Sequence, residues 1–339
     1  MEKIALIGLT PKSVSLAMAL ENAKLKNTKI IGMDIRRNVT NQVKKLKLIS
    51  NITSSYSNAV TDANLVIIDV PISSMKDTLQ GISNGLSEIS VVVDLCSSKS
   101  LAIKLAHEIL PNKNNFIGGH PLIKNLPESI EEANSALFQG SIFCLTPDPK
   151  ADPSAVKLVT GLAELVGSNT MFIDAIEHDS FMSAVEYLPI LLSASFVSAT
   201  TKSSSWRDMH KLTTSNYTNL SKLSDTDPRE SEAILLSNSE EMVMWIDSII
   251  AELFKYRENI SAKSDELFES LVYSWEEHAK WEANAVETKS ADPTLPGQGS
   301  YIASSFFGEY LTNRYKSSKQ NDKENDTEEW KYKGRGLRS

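Results

Sequence analysis

Short apolar runs rich in β-branched residues recur through the first 175 positions, at 3–8, 29–33, 65–70, 90–95, 115–118, 141–145 and 170–174. The runs are continuous rather than alternating, which suits strands covered on both faces, as in a parallel sheet. Helix-compatible stretches lie between them, including 13–25, 99–109 and 153–166. Asp152-Pro153 pairs a capping residue with a proline at the first helical position, a good helix start. Strand–helix alternation of this kind predicts a Rossmann-type, doubly wound α/β domain over residues 1–175.

The pattern changes after residue 176. Strand-like runs give way to long helical stretches at 177–202, 228–262 and 263–288, so residues 176–314 read as an all-helical domain. Val243, Ile246, Ile249, Ile250, Leu253 and Phe254 recur at spacings of three and four, the period of one buried helix face. Core packing is the expected role of that face, with a subunit contact over part of it. Residues 181–199 approach the apolarity of a membrane span, but Glu186, Pro189 and several serines favour a buried core helix, with no membrane partner. From Tyr315 the chain is polar and mixed in charge, so 315–339 is expected to be a disordered tail.

Composition narrows the function. The 339 residues are 41% apolar, enough for two cores. The net charge of −8 argues against nucleic acid, whose phosphates are bound by Lys and Arg. Two cysteines, Cys96 and Cys144, make no disulfide framework, and a reducing cytoplasm is the default expectation. His107, His120, His178, His210 and His278 show no metal-binding spacing, and no metal is expected.

The first apolar run leads into Gly8-Leu9-Thr10-Pro11-Lys12-Ser13. A dinucleotide fingerprint would read G-x-G-x-x-G there. Gly8 keeps the first glycine. Thr10 stands where the backbone should approach a diphosphate, and Ser13 where the helix should pack close to the strand. Pro11 removes an amide donor, while the helix N-terminus still favours an anion. The second run ends at Asp34, placed to accept from ribose hydroxyls, or simply to cap the next helix. Arg36 follows and can pair with a 2′-phosphate, so NAD and NADP both remain open. Val70-Pro71 ends the next strand at the ligand-facing edge. The candidate cofactor set is therefore Gly8, Leu9, Thr10, Ser13, Asp34, Arg36, Val70 and Pro71, with weakened affinity expected from the loop.

Taken in order, the motifs resemble those of the prephenate and arogenate dehydrogenases of tyrosine biosynthesis. Asp94-Leu95-Cys96-Ser97-Ser98-Lys99 is similar to the family's D-x-G-S-x-K, and Gly118-Gly119-His120-Pro121 to its G-x-H-P. Leu137-Phe138-Gln139-Gly140 with Leu145-Thr146-Pro147 resembles L-F-x-G…L-T-P. His178-Asp179, Leu188-Pro189, Asp227-Pro228 and Asn238 follow at corresponding places. The resemblance implies oxidative decarboxylation of prephenate or arogenate with NAD or NADP, and a homodimer built on the helical half. It makes His120 the base that accepts the ring hydroxyl's proton, with Ser97 beside it. Lys222 falls on the family's substrate-binding arginine, and Asp179 on a residue that holds the site together; both are candidate substrate-side residues.

The departures are as specific. Lys222 keeps a charge but loses the bidentate fork of arginine. Tyr187 and Ile190 replace two histidines, and Cys96 replaces a glycine. Lys124 and Arg207 are possible substitute cations. Two readings stay open: an active dehydrogenase, and a non-catalytic family member that binds or regulates.

Overall fold

The computed structural model describes residues 2–49 and 51–283. The expected tail at 315–339, and the end of the helical half from 284, lie outside the described residues.

Eight strands form one sheet in the order β3-β2-β1-β4-β5-β6-β7-β8. They are β1 (Glu2–Ile7), β2 (Thr28–Met33), β3 (Asn51–Thr53), β4 (Leu65–Ile68), β5 (Val91–Asp94), β6 (Phe116–Leu122), β7 (Ile142–Pro147) and β8 (Asn169–Phe172). Strands β1 to β6 are parallel, β6 and β7 are antiparallel, and β8 runs parallel to β7. The reversal departs from the uniformly parallel sheet expected. Its cause is the connection at 123–141, which carries only a short 3-10 turn, Ile130–Glu132. A helix crossing the sheet is what usually returns a chain to a parallel partner. Strand β3 had no sequence signal, and β8 is mostly exposed at the sheet edge.

Successive side chains of a strand face opposite sides of the sheet. On β1, Ile4 and Leu6 join Leu16, Leu20 and Leu162 on one face. Ala5 and Ile7 join Leu79, Ile82, Ala102 and Ala106 on the other. The helices carrying these residues are α1 (Pro11–Asn22), α4 (Met75–Ser83), α5 (Lys99–Ile109) and α6 (Pro153–Leu165). They alternate with α2 (Arg37–Leu46) and α3 (Tyr56–Val60), completing the doubly wound layer.

The helical half packs on the second face, where Met182, Tyr187, Leu188, Ile234 and Met242 enter the same core. It comprises α7 (Ala175–Met182), a π-helical turn (Ser183–Tyr187), α8 (Leu188–Thr201), α9 (Trp206–Met209), α10 (Ser215–Ser221), α11 (Pro228–Ser237), α12 (Ser239–Ala262) and α13 (Glu266–Glu282). The predicted helix 177–202 is thus interrupted. Pro189 has no N–H for the carbonyl four residues back, and the Leu188 amide instead donates to Ser183, five residues back. The predicted helix 228–262 breaks at Asn238.

Two expectations about burial are corrected. Val243, Ile250, Leu253 and Phe254 are all more than half exposed, because none of the described segments covers that side of α12. The apolar stretch over 175–201 is not a buried core helix either: 28% of its most apolar part is buried.

Candidate active site at the sheet's carboxyl edge

The crevice opens at the carboxyl ends of β1, β4 and β5. Gly8 has φ +88°, and a Cβ there would stand 2.2 Å from the Asp69 carbonyl oxygen. Only glycine fits this turn. Thr10 and Ser13 form a capping box at the start of α1. The Thr10 amide donates to Ser13 Oγ at 2.9 Å, and the Ser13 amide to Thr10 Oγ1 at 3.2 Å. The Ser13 hydroxyl also donates to the Gly8 carbonyl at 2.7 Å, so it closes the loop from inside.

Asp34 is buried at the end of β2 and already has donors. The Leu9 amide reaches it at 2.9 Å, and Arg36 grips it through Nε at 2.9 Å and Nη2 at 2.7 Å. Burial opposes its charge, but these donors win and hold its carboxyl below the ordinary range. It does not merely cap α2, whose N-cap is Arg36. Val70 is half-buried and Pro71 exposed beyond β4. They lead into a turn at Ile72–Ser74 that the helical half caps: Glu230 accepts from the Ile72 amide at 2.8 Å and the Ser73 amide at 3.1 Å.

Two charged residues outside the candidate cofactor set sit in this crevice. Asp69, 6% exposed, accepts from the Thr10 hydroxyl and pairs with Lys12 Nζ at 3.0 Å. Lys12 Nζ also donates to the Leu95 carbonyl at 2.8 Å. The lysine therefore spans the ends of β4 and β5.

Deeper in, Lys99 and Asp94 form an ion pair with neither side chain exposed. Lys99 Nζ also donates to the Gly119 carbonyl at 2.7 Å. Burial alone would lower the lysine's pKa, but Asp94 outweighs it and the ammonium persists. Gly118 makes room for this pair: a Cβ would strike Thr146 Oγ1 at 2.1 Å and approach the Lys99 chain at 3.3 Å.

His120, on β6, is 7% exposed. Its Nδ1 lies 3.0 Å from Nε2 of His178, and His178 Nδ1 lies 2.9 Å from Asp179 Oδ1. Asp179 also accepts from the Lys99 and Ser100 amides, each at 2.8 Å. Although burial works against it, these hydrogen bonds lower the Asp179 pKa. An ionised Asp179 accepts only, so His178 Nδ1 must carry the proton. With that proton hydrogen-bonded to Asp179, His178 Nε2 is the acceptor for His120 Nδ1–H. That leaves the lone pair of His120 on Nε2, 3.9 Å from Glu186 Oε2. Burial, and then the Lys99 charge, push the His120 pKa well below the ordinary imidazole value.

The π-helical turn aims consecutive residues at this place. Half-buried Glu186 faces His120, its pKa raised by burial, while Tyr187 is fully buried. Ser97 lies near the Tyr187 hydroxyl, which is buried without a hydrogen-bond partner among the described residues. Asp179 differs from the substrate contact expected, because its oxygens are committed to α5 and His178. Lys222 also differs. It lies exposed and pairs with Glu128 at 2.8 Å, outside the buried network. Lys124 and Arg207 are exposed.

Sequence reasoning missed His178, Glu186, Lys99, Asp94, Lys12 and Asp69. His178 and Asp179 are neighbours on α7, and their side chains nonetheless bond directly. The D-x-x-S-x-K run contains Asp94 and Lys99, so their signal lies in the sequence.

Residues 16–172 match the family described as prephenate dehydrogenase, nucleotide-binding domain, and residues 174–273 match its dimerization domain. The chain belongs to the prephenate/arogenate dehydrogenase family. The first match begins inside α1, past the loop at 8–13. The chain is similar to the prephenate dehydrogenase of Bacillus subtilis, at 27% identity over 267 residues, 78% of this chain and 71% of that one. It is 24% identical to the cyclohexadienyl dehydrogenase of Zymomonas mobilis over 77% of this chain and 89% of that one. Its fold matches prephenate dehydrogenase from A. aeolicus, solved with hydroxyphenyl propionate and NAD+, with a TM-score of 0.75 at 24% identity over 83% and 98% of the two chains. The fold of Synechocystis arogenate dehydrogenase matches at 0.66, with 22% identity over 82% and 99%.

Proposed function

We propose that this family member is an NAD(P)-dependent oxidoreductase acting on prephenate, arogenate or a related cyclohexadienyl hydroxy acid. The observation that carries the reading is the buried Asp179–His178–His120 chain, which leaves His120 Nε2 as an unprotonated base. A nicotinamide dinucleotide, when bound, supplies the hydride acceptor. Gly8 and Asp34 would hold it, as the turn and the ribose ligand.

The protein's own part is proton transfer. His120 Nε2 accepts the ring hydroxyl's proton as hydride departs from the same carbon. The Nδ1 proton can then pass toward His178, whose charge Asp179 offsets. Carbon dioxide leaves and the ring becomes aromatic. Lys99 fixes the Gly119 carbonyl beside His120.

The test is formation of reduced cofactor by the full-length protein with prephenate or arogenate and NAD+ or NADP+. We expect turnover, with the acid limb of kcat/KM below pH 6.5, because burial depresses His120 from that ordinary value. No reduced cofactor with any pairing, at high protein concentration, sinks the reading. It would favour a non-catalytic binding protein, which the internally satisfied amides of the loop also support.

We infer a homodimer as well. The uncovered apolar residues of α12 and α13, including Leu253, Phe254, Phe268 and Trp275, lie in or beside the part matching a dimerization domain. Sedimentation should give twice the chain mass of 37.4 kDa; a monomer at micromolar concentration rejects this assembly.

A further inference from the structure

The loop that should cradle a diphosphate has few amides to offer. The Leu9 amide serves Asp34, those of Thr10 and Ser13 serve each other's side chains, and Pro11 has none. Anion binding at a helix N-terminus depends on such N–H groups. Besides Arg36, which Asp34 holds, a second cation stands in the same crevice. Lys12 Nζ is held between the end of β4, at Asp69, and the end of β5, at the Leu95 carbonyl. Its side chain keeps 18% of its surface exposed, so it can be reached from solvent.

We propose that Lys12 is this chain's diphosphate ligand, standing in for the lost loop amides, and that Asp69 competes with the dinucleotide for its ammonium. The inference rests on the dehydrogenase reading above and adds a residue to it. A lysine binds phosphate as a point charge and needs no fork geometry. Asp69 is an acid inside an otherwise apolar run, Leu65 to Val70. Its carboxylate is nearly buried and faces the loop through Thr10 and Lys12. An anionic ligand brought to Lys12 must therefore weaken the Lys12–Asp69 pair and approach the Asp69 charge. Both effects reduce affinity for a diphosphate. Removing that charge while keeping the side chain's shape should release the ammonium for the ligand.

The measurement is the dissociation constant of NADH, and of ADP-ribose as a probe lacking nicotinamide, for the full chain by calorimetry. We expect Asp69→Asn to tighten both about tenfold, the effect of one nearby charge in a partly screened site. Lys12→Met should weaken both about tenfold, and Lys12→Arg should bind within a few-fold of the parent. The double variant Lys12→Met/Asp69→Asn should lose the gain of Asp69→Asn. Binding unchanged by Lys12→Met, or a gain from Asp69→Asn that survives in the double variant, overturns the inference and leaves the dehydrogenase reading standing. If neither the parent nor Asp69→Asn binds either probe at millimolar concentration, both fall together. Matching thermal melts of the variants separate lost binding from lost folding.

Discussion

Replacing His120 by Asn should lower kcat by about 10²- to 10⁴-fold, the range for removing a positioned general base. The amide can keep one hydrogen bond toward His178 but cannot take a proton from a hydroxyl at neutral pH. Binding of NADH should change little, since the Gly8 turn and Asp34 lie on other strands. Parallel kcat and Kd measurements check this split. A loss of less than fivefold in kcat would remove His120 from its role. The same histidine has a stability signature. Its folded pKa is depressed, so between that value and the unfolded 6.5 the unfolded chain binds more protons. This group's contribution is therefore present above pH 6.5 and is lost as pH falls toward the folded value. Asp179, lowered from 3.8, acts in the same direction in a more acidic window.

Changing Lys99 to Met should destabilise the fold by about 3–5 kcal/mol, the cost of leaving one partner of a buried ion pair alone. Asp94 would keep the Cys96 amide at 3.2 Å and a longer approach from the Gly119 amide at 3.4 Å. Neither carries a full charge. Chemical denaturation reads the effect as a lower midpoint with an unchanged slope. Adding Asp94→Asn should recover much of the loss, because no charge then remains buried. If the double variant is no better than the single, volume and hydrogen bonding at Lys99, not unpaired charge, set the cost. Lys99→Met should also raise the His120 pKa, since the Lys99 charge helps depress it.

Much of the sheet was readable because β1, β2, β4 and β5 are continuous apolar runs with no competing pattern. Strand β3 is only Asn51–Thr53, too short and polar to register. The direction of β7 left no trace, because side-chain period does not record strand sense. It depends on what crosses between β6 and β7. The pattern on α12 marked one apolar face, but most of that face is exposed among the described residues. In the site, motif order singled out His120 and Asp179, which the fold joins through His178. It could not assign Asp179 its partners, because those are amides of α5 and a histidine next to it in sequence. Lys12 occupies a variable position of the loop motif and Asp69 interrupts an apolar run. Each is unremarked alone, and only the fold brings their charges within 3.0 Å.

Helix α5 begins without a capping side chain of its own, since Ser98 makes no such bond. The carboxylate of Asp179, from α7, takes its first two amides. The start of one half's helix is thus completed by the other half. The change in composition near residue 175 marks a shift of architecture, but it does not mark a place where the chain can be cut. A fragment ending at 174 would leave the end of α5 that carries Lys99 unfinished, and with it the support beneath His120. The same bond limits motion. A hinge motion that parted α5 from α7 would give up both of these charge-assisted hydrogen bonds.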